Sequence, residues 1–303
     1  MRLDPQVDDF LAQLAARGAP RVHELTPEQV PLQRIPPPAG SPPAHRPHVR
    51  EVEDLDLDGL RVRRYRAAQE TTGAAAWLHG GGWVVGSVEK ADAACRHLAG
   101  ETGLEVFSID YRQAPEHRFP AAVDDALAGL GYVAQRAAGR PLVVGGDSAG
   151  GNLAAVAARR ARDAGGPAIA LQLLVYPITA PDTDTGSYRE HGDAGLPLGR
   201  ADMEWFWAQY VPDPAQRRHP DAAPLLAPDL SGLPPAIVLV AGHDVLLDEG
   251  VAYAQRLEQA GVPVDLLRAD DLPHGFFSLV DVYDRSREIH AELGTLVRRR
   301  LAA

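Results

Sequence analysis

The amino-acid sequence predicts an α/β protein with a mostly parallel sheet and helices on both faces of that sheet. Short, continuous apolar runs recur along the chain, which is typical of strands that are buried on both sides. Segments with apolar residues at helical spacing separate most of these runs, and this alternation favours a parallel sheet with crossover helices. The 303 residues are enough to bury a substantial core.

The first 48 residues look like an appendage to that sheet. Apolar residues at helical spacing predict an amphipathic helix over about 3–17, rather than a signal peptide with a basic start and an apolar run. Prolines at 36–38 and 42–43 then predict an extended connector, because proline interrupts the hydrogen bonding of helices and inner strands. We interpret residues 1–48 as an N-terminal cap segment with a linker, and residues 49–303 as the main domain.

The predicted strands begin at about residue 50. Alternating residues at 51–58 and 60–67, around an Asp-Gly pair, predict a hairpin. The continuous apolar runs predict six further strands, at residues 74–78, 104–109, 142–144, 169–175, 236–240 and 264–267. The last strand is expected at an edge of the sheet. By analogy with other proteins of this fold class, a second copy of the chain could pair with it to form a homodimer.

One interval breaks the rhythm of strands and helices. Residues 178–233 hold many proline, glycine and aspartate residues and one aromatic helix at 203–210. An insertion between two core strands, on the side where strands end, is a natural lid over a site. We therefore interpret residues 178–233 as a cap insertion in the main domain.

Composition excludes several classes of protein. The net charge of −11 disfavours nucleic-acid binding, which depends on basic residues that neutralise phosphates. Cys95 is the only cysteine, which excludes an internal disulfide and a zinc site built on cysteines. No stretch of the sequence is long and apolar enough to span a bilayer. We expect a cytoplasmic protein without nucleic-acid or membrane partners.

The strongest chemical signal is Gly-Asp-Ser-Ala-Gly-Gly at residues 146–151. It follows the predicted strand 142–144 and opens a helix that begins near Asn152. A serine on a tight strand-to-helix turn needs glycine on both sides, because larger side chains would clash there, and this pattern is typical of a nucleophile elbow. We predict that Ser148 is a nucleophile and that the amide of Ala149 faces the reacting carbonyl oxygen.

A second glycine motif is consistent with acyl chemistry. His79-Gly80-Gly81-Gly82-Trp83 directly follows the predicted strand 74–78. Consecutive glycines let backbone amides turn towards one point, as an oxyanion hole requires. We predict that the amides of Gly81 and Gly82 form this hole. A phosphate-binding loop is the alternative interpretation, but its Gly-Lys-Ser/Thr ending is missing.

A nucleophilic serine needs a base, and imidazole suits that role at neutral pH. In proteins with a nucleophile elbow of this kind the histidine follows the serine in the chain, so five candidates remain: His191, His219, His243, His274 and His290. The first two fall in the cap insertion, the third adjoins the acid candidate, and the last lies in the final helix. His274 follows the last predicted strand on a loop, so we predict that it is the base.

Two aspartates compete for the role of orienting this histidine. Asp244 lies just past the predicted strand 236–240, at the end where a carboxylate could hold His274. Asp248 lies at the start of a predicted helix, where an aspartate commonly stabilises the helix N-terminus. We favour Asp244 and keep Asp248 as the alternative.

Together these motifs resemble the hormone-sensitive-lipase-like esterases, bacterial family IV. The similarity runs from about residue 50 to the C-terminus and includes the loop Tyr-Arg-Gln-Ala-Pro-Glu-His-Arg-Phe-Pro-Ala-Ala at 111–122. It implies an α/β-hydrolase fold with an eight-stranded sheet and a helical cap built from the N-terminus and the mid-chain insertion. By position, it implies a catalytic triad and three oxyanion amides: Ser148, Asp244 and His274, and Gly81, Gly82 and Ala149.

The resemblance also implies the activity of a serine carboxylesterase that hydrolyses short- to medium-chain esters, from acetyl to hexanoyl, without a metal or cofactor. The expected partner is a small-molecule ester. Four aromatic residues could line the substrate pocket: Trp83, Trp205, Phe206 and Phe276. The cluster at 205–207 could instead form only the inner face of the cap helix. A lactone or amide hydrolase, a dehydratase and a non-catalytic small-molecule receptor are the alternative functions.

Overall fold

An eight-stranded sheet lies at the centre of the protein. The computed structural model describes residues 2–18, 20–34, 49–68 and 71–302, so the predicted proline-rich connector at 36–43 lies outside the described residues. The strands are β1 (Glu51–Leu57), β2 (Leu60–Arg66), β3 (Gly73–Leu78), β4 (Leu104–Ile109), β5 (Leu142–Asp147), β6 (Leu171–Val175), β7 (Ala236–His243) and β8 (Val264–Pro273). Their order across the sheet is β1-β2-β4-β3-β5-β6-β7-β8.

Most neighbouring strands of the sheet run in parallel. The first two strands form an antiparallel hairpin, and β2 also pairs antiparallel with β4. All other neighbouring strands pair in parallel. The inner strands β3 to β6 are buried along their whole length, which is why they appear as continuous apolar runs in the sequence. The predicted α/β class with a mostly parallel sheet is confirmed.

Helices cover both faces of the sheet. They are α1 (Pro5–Arg17), α2 (Asp92–Thr102), α3 (Ala121–Ala137), α4 (Ala149–Asp163), α5 (Gly186–His191), α6 (Arg200–Tyr210), α7 (Leu247–Gln259) and α8 (Asp284–Ala302). One apolar cluster joins α3, α4 and α7 to one face, and a second joins α2 and α8 to the other. Successive residues of a strand point to opposite faces of the sheet, so Ala76 of β3 belongs to the first cluster and Trp77 to the second. Within the described ranges, no helix is long and apolar enough to cross a membrane.

The N-terminal segment makes two separate contacts with the rest of the chain. Helix α1 lies near the start of α8, where the Phe10 and Tyr283 rings meet edge to face with their centroids 5.7 Å apart. The 3-10 turn Val22–Glu24 lies against α6 instead. The second contact therefore joins the N-terminal segment to the 178–233 interval, on the side of the sheet where β5 ends.

Candidate active site

Ser148 lies on the turn between β5 and α4. Its backbone has φ 57° and ψ −118°, a conformation that non-glycine residues rarely adopt, so the surrounding structure must hold it. Its amide donates a 2.9 Å hydrogen bond to the Val175 carbonyl oxygen. A Cβ on Gly150 would overlap the Leu78 carbonyl oxygen, and a Cβ on Gly146 would overlap the backbone of Gly150. Glycine is therefore required on both sides of this serine.

The side chains of Ser148, His274 and Asp244 form one hydrogen-bonded series. Ser148 Oγ lies 3.0 Å from His274 Nε2, and His274 Nδ1 lies 2.6 Å from Asp244 Oδ2. The other carboxylate oxygen of Asp244 accepts a 3.0 Å hydrogen bond from the amide of Leu246. A neutral His274 that donates from Nδ1 to the carboxylate leaves Nε2 free to accept the serine proton. The arrangement can therefore activate the serine hydroxyl as a nucleophile.

The rival acid and the rival histidines lie elsewhere. Asp248 is in the first turn of α7, where its carboxylate accepts a 2.8 Å hydrogen bond from the amide of Ser187. His290 is buried in α8, with Nε2 2.9 Å from the Phe277 carbonyl oxygen, and burial lowers its pKa to about 3. Of the five candidate histidines, all within the described ranges, only His274 is hydrogen-bonded to Ser148.

At two positions of the glycine loop after β3, the backbone has a conformation that only glycine adopts without strain. Gly81 has φ 111° and Gly82 has φ 57°. A Cβ would overlap the Gly86 backbone at the first position and the Phe206 ring at the second. Among the described residues, neither amide donates a hydrogen bond to a protein acceptor. Both N–H groups are therefore available to a bound oxygen atom, as is the N-terminal amide of α4 at Ala149.

Two further side chains hold the beginning of this loop. Asp147 Oδ1 accepts a 3.1 Å hydrogen bond from the amide of Gly80, and burial raises the pKa of Asp147 to about 6. The Tyr111 hydroxyl donates a 2.8 Å hydrogen bond to the His79 carbonyl oxygen, and the two rings stack with centroids 4.4 Å apart. Neither role was predicted, although Asp147 stands inside the serine motif and Tyr111 begins the 111–122 loop.

A cavity of about 280 Å³ opens over Ser148 and His274. Apolar residues from the N-terminal turn and the 178–233 interval form one part of its wall: Val22, Pro197, Leu198, Met203 and Phe206. Polar residues from the segments after β3 and β8 form another part: Ser87, Lys90 and Ser278. Among the residues that the structure describes, no group of three or more His, Cys, Asp and Glu side chains is placed to hold a metal ion.

Of the four aromatic residues predicted for the pocket, only Phe206 lines the cavity. The prediction was wrong for the other three. Trp83 is fully buried in an aromatic cluster behind the glycine loop. Phe276 is fully buried as well and packs edge to face against Tyr176. Trp205 adjoins Phe206 in the sequence, but successive residues of a helix point about 100° apart, so only one of the two reaches the cavity.

Several lining residues were not predicted. Met203 stands three residues before Phe206 and shares its helix face, so the sequence did contain a signal for it. Val22 comes from the N-terminal turn and Lys90 from the segment before α2. No pattern in the sequence relates these two residues to the serine, because only the folded chain brings them to one cavity.

The chain is similar to known proteins over most of its length. Residues 75–278 match the family described as alpha/beta hydrolase fold. The carboxylic ester hydrolase LipN of Mycobacterium tuberculosis is 42% identical over 254 residues, which are 78% of this chain and 67% of LipN. An ethyl acetate hydrolase of Pseudomonas putida is 39% identical over 254 residues, 78% of this chain and 79% of that protein. A hyperthermophilic esterase from the archaeon Pyrobaculum calidifontis has a solved structure with a TM-score of 0.88 at 35% identity, over 100% of both chains.

Proposed function

This chain belongs to the alpha/beta hydrolase fold family, among the hormone-sensitive-lipase-like esterases, and from that premise we propose that it is a serine carboxylesterase acting on short- to medium-chain esters. The names of its relatives, a carboxylic ester hydrolase, an ethyl acetate hydrolase and an esterase, support ester hydrolysis. The single observation that carries the proposal is the series from Ser148 Oγ through His274 to the buried Asp244 carboxylate.

In the first half-reaction, Ser148 Oγ attacks the ester carbonyl carbon while His274 Nε2 takes the hydroxyl proton. The carbonyl oxygen becomes an oxyanion, which the amides of Gly81, Gly82 and Ala149 stabilise. The bond to the alcohol oxygen then breaks, and the alcohol leaves with the proton from Nε2. An acyl group remains on the serine.

In the second half-reaction, a water molecule gives its proton to His274 Nε2 and attacks the acyl carbon. The oxyanion forms again, the bond to Ser148 Oγ breaks, and the serine recovers its proton. Asp244 orients the imidazole throughout and stabilises its protonated form, since a carboxylate close to Nδ1 favours positive charge on the ring.

The size of the cavity supports a preference for short acyl chains. About 280 Å³ lies just below the usual range of ligand pockets, which begins near 300 Å³. Phe206 lies directly against Gly82, so it limits the space beside the proposed oxyanion amides. We expect acetyl to hexanoyl esters to be hydrolysed faster than longer ones.

We also propose that the N-terminal segment and the 178–233 interval act together as a cap over the site. Val22 from the first and Phe206 from the second line the same cavity. The Arg21 guanidinium pairs with the buried Asp202 carboxylate, and His23 Nδ1 lies 2.7 Å from its other oxygen. These polar contacts hold the two parts of the proposed cap together.

The oligomeric state and the cytoplasmic location stay predictions. Strand β8 lies at one edge of the sheet, where a second copy of the chain could pair with it. Size-exclusion chromatography with light scattering measures whether the protein is a dimer in solution.

The test compares the wild type with Ser148→Ala on 4-nitrophenyl esters from acetate to dodecanoate. We expect the substitution to lower kcat by a factor on the order of 10⁴ or more. Wild-type turnover by the variant would reject the mechanism, and rates that rise towards dodecanoate would reject the chain-length preference.

Labelling with a fluorophosphonate separates a hydrolase from a receptor. The wild type should be labelled at Ser148, because the reagent needs an activated serine, and Ser148→Ala should not be labelled. An unlabelled wild type would favour a non-catalytic receptor.

A further inference from the structure

Lys90 is the only lysine of the chain, and it lines the same cavity as Ser148. It lies between the glycine loop and α2. Its side chain is exposed, and its ammonium group donates a 3.0 Å hydrogen bond to the Val85 carbonyl oxygen. An ammonium group has three donors, so two remain for another acceptor.

The acidic neighbours of Lys90 in the sequence are already paired with arginines. Glu89 Oε1 lies 2.6 Å from a guanidinium nitrogen of Arg61 and 3.2 Å from one of Arg63. The Asp92 carboxylate accepts a 2.9 Å hydrogen bond from Arg96. Across the described part of the chain, no carboxylate lies within 4.0 Å of the Lys90 ammonium group. In a protein of net charge −11, this positive charge thus has no ionic partner among the residues that the structure describes.

The surroundings of Lys90 are consistent with a positive charge that has no ionic partner among the described residues. The Lys90 side chain reaches solvent, but the protein atoms around its ammonium group displace part of the surrounding water, which lowers the pKa of that group, and no carboxylate of the described residues counteracts the effect. A bound anion would supply the missing partner, since opposite charges in a cleft favour the charged form of both groups.

The cavity wall beside Lys90 contains hydroxyl groups as well as the apolar Val85 and Ala91. Ser87 is three residues away, and its hydroxyl accepts a 3.3 Å hydrogen bond from the Lys90 amide. Ser278 reaches the same cavity from the 3-10 turn Phe276–Ser278, which contacts α2. The wall from the cap, by contrast, is apolar and includes Leu198 and Met203. The cavity therefore has one wall suited to an apolar group and one suited to a charged or polar group.

We propose that Lys90 is a specificity determinant that binds an anionic group of the substrate, so that the protein prefers esters carrying a carboxylate. This inference rests on the proposed esterase function. The carboxylate can belong to the acyl group, as in a half-ester of a dicarboxylic acid, or to the alcohol. Both use the same ion pair with the ammonium group, and the substrates chosen for the test separate them.

The test uses two pairs of esters in which one member is charged and the other is neutral. On the acyl side, 4-nitrophenyl hemisuccinate is compared with 4-nitrophenyl pentanoate. On the alcohol side, 4-acetoxybenzoate is compared with 4-acetoxybenzamide. Each is measured with the wild type, Lys90→Met, which removes the charge at similar length, and Lys90→Arg, which keeps it. Arg299→Met is the control, because it removes one exposed positive charge from α8, away from the cavity.

We expect Lys90→Met to lower kcat/KM for at least one charged ester about tenfold more than for its neutral partner, mainly through KM. Lys90→Arg should retain most of the preference, and Arg299→Met should leave both rates as in the wild type. For the wild type, 1 M salt should reduce the preference, because it screens the attraction between the exposed ammonium group and a carboxylate that approaches from solvent. This last measurement needs no variant.

Equal effects of Lys90→Met on the charged and neutral members of both pairs would overturn the inference, as would a wild-type preference that does not change with salt. In that case the neutral esters would still be hydrolysed in a Ser148-dependent reaction. If no ester is hydrolysed in a Ser148-dependent reaction, the proposed function itself fails.

Discussion

Asp244→Asn exchanges the carboxylate beside His274 for an amide of the same shape. The carboxylate side chain is fully buried, and one oxygen lies 2.6 Å from His274 Nδ1. Its second oxygen is held by the amide of Leu246, so an asparagine can occupy the same position with its own carbonyl oxygen on that amide. The amide NH₂ group would then face Nδ1 and favour the tautomer that carries its proton on Nε2. That tautomer cannot accept the serine proton.

The lost negative charge lowers the rate further, beyond the effect of the wrong tautomer. Two unit charges about 4 Å apart attract by about 4 kcal/mol at an effective dielectric constant near 20, which is the stabilisation that the imidazolium would lose. Together the two effects should lower kcat by a factor on the order of 10⁴, equivalent to about 5 kcal/mol.

The assay is the steady-state hydrolysis of 4-nitrophenyl butyrate, and Asp248→Asn is the matched control. Asp248 contacts the Ser187 amide rather than His274, and an asparagine oxygen can accept the same hydrogen bond. We expect the control to keep kcat within about twofold and to lose at most about 1 kcal/mol of stability at the helix N-terminus. If Asp244→Asn stayed within tenfold of the wild type while Asp248→Asn lost most activity, the choice of acid would be wrong.

Three further predictions concern the glycine loop and two buried titratable groups. Gly82→Ala should lower kcat/KM about 10²-fold, because its Cβ overlaps Phe206 and displaces the oxyanion amide, and Phe206→Ala in the same chain should restore part of it. From pH 5 to pH 8, the free energy of unfolding of Asp147→Asn, measured with urea, should rise by about 1.4 kcal/mol relative to that of the wild type. The reason is that the raised pKa of Asp147 makes the folded wild type lose a stabilising proton as the pH passes about 6. Below pH 6.5 the wild type should lose up to about 1.4 kcal/mol of unfolding free energy per pH unit through His290, and His290→Gln should remove this loss. The buried imidazole has a pKa near 3, so between pH 6.5 and pH 3 only the unfolded state binds its proton.

The Gly82 prediction has a control within the chain. Gly131 of α3 has open space where a Cβ would lie, so Gly131→Ala should not change activity. An equal loss in both alanine variants would contradict the proposed role of Gly82. Unchanged pH dependence of the unfolding free energy in Asp147→Asn, or in His290→Gln, would show that the group in question does not titrate as its burial requires.

Much of the fold and the central turn could be predicted because the residues that determine them are neighbours in the chain. Strands buried on both faces of the sheet produce continuous apolar runs, and the observed β3 to β6 overlap the predicted ones. The serine turn could be recognised for the same reason. Its residues are consecutive, and the clash at Gly146 arises partly against Gly150, four residues later, although the clash at Gly150 is with Leu78 of the neighbouring strand β3.

Local sequence patterns were enough to predict the α/β class, the family and the motifs around Ser148, Gly81 and His274. The tertiary structure alone decided that Asp244, 30 residues before His274, is the carboxylate hydrogen-bonded to it, while Asp248 turns to another partner. The folded structure also shows that Phe206, and not Trp205 or Trp83, lines the cavity, and that Lys90 lines the same cavity as Ser148. Hydrogen bonds and cavity walls join residues that are far apart in the chain, so they depend on how helices and strands pack, which local side-chain patterns do not encode.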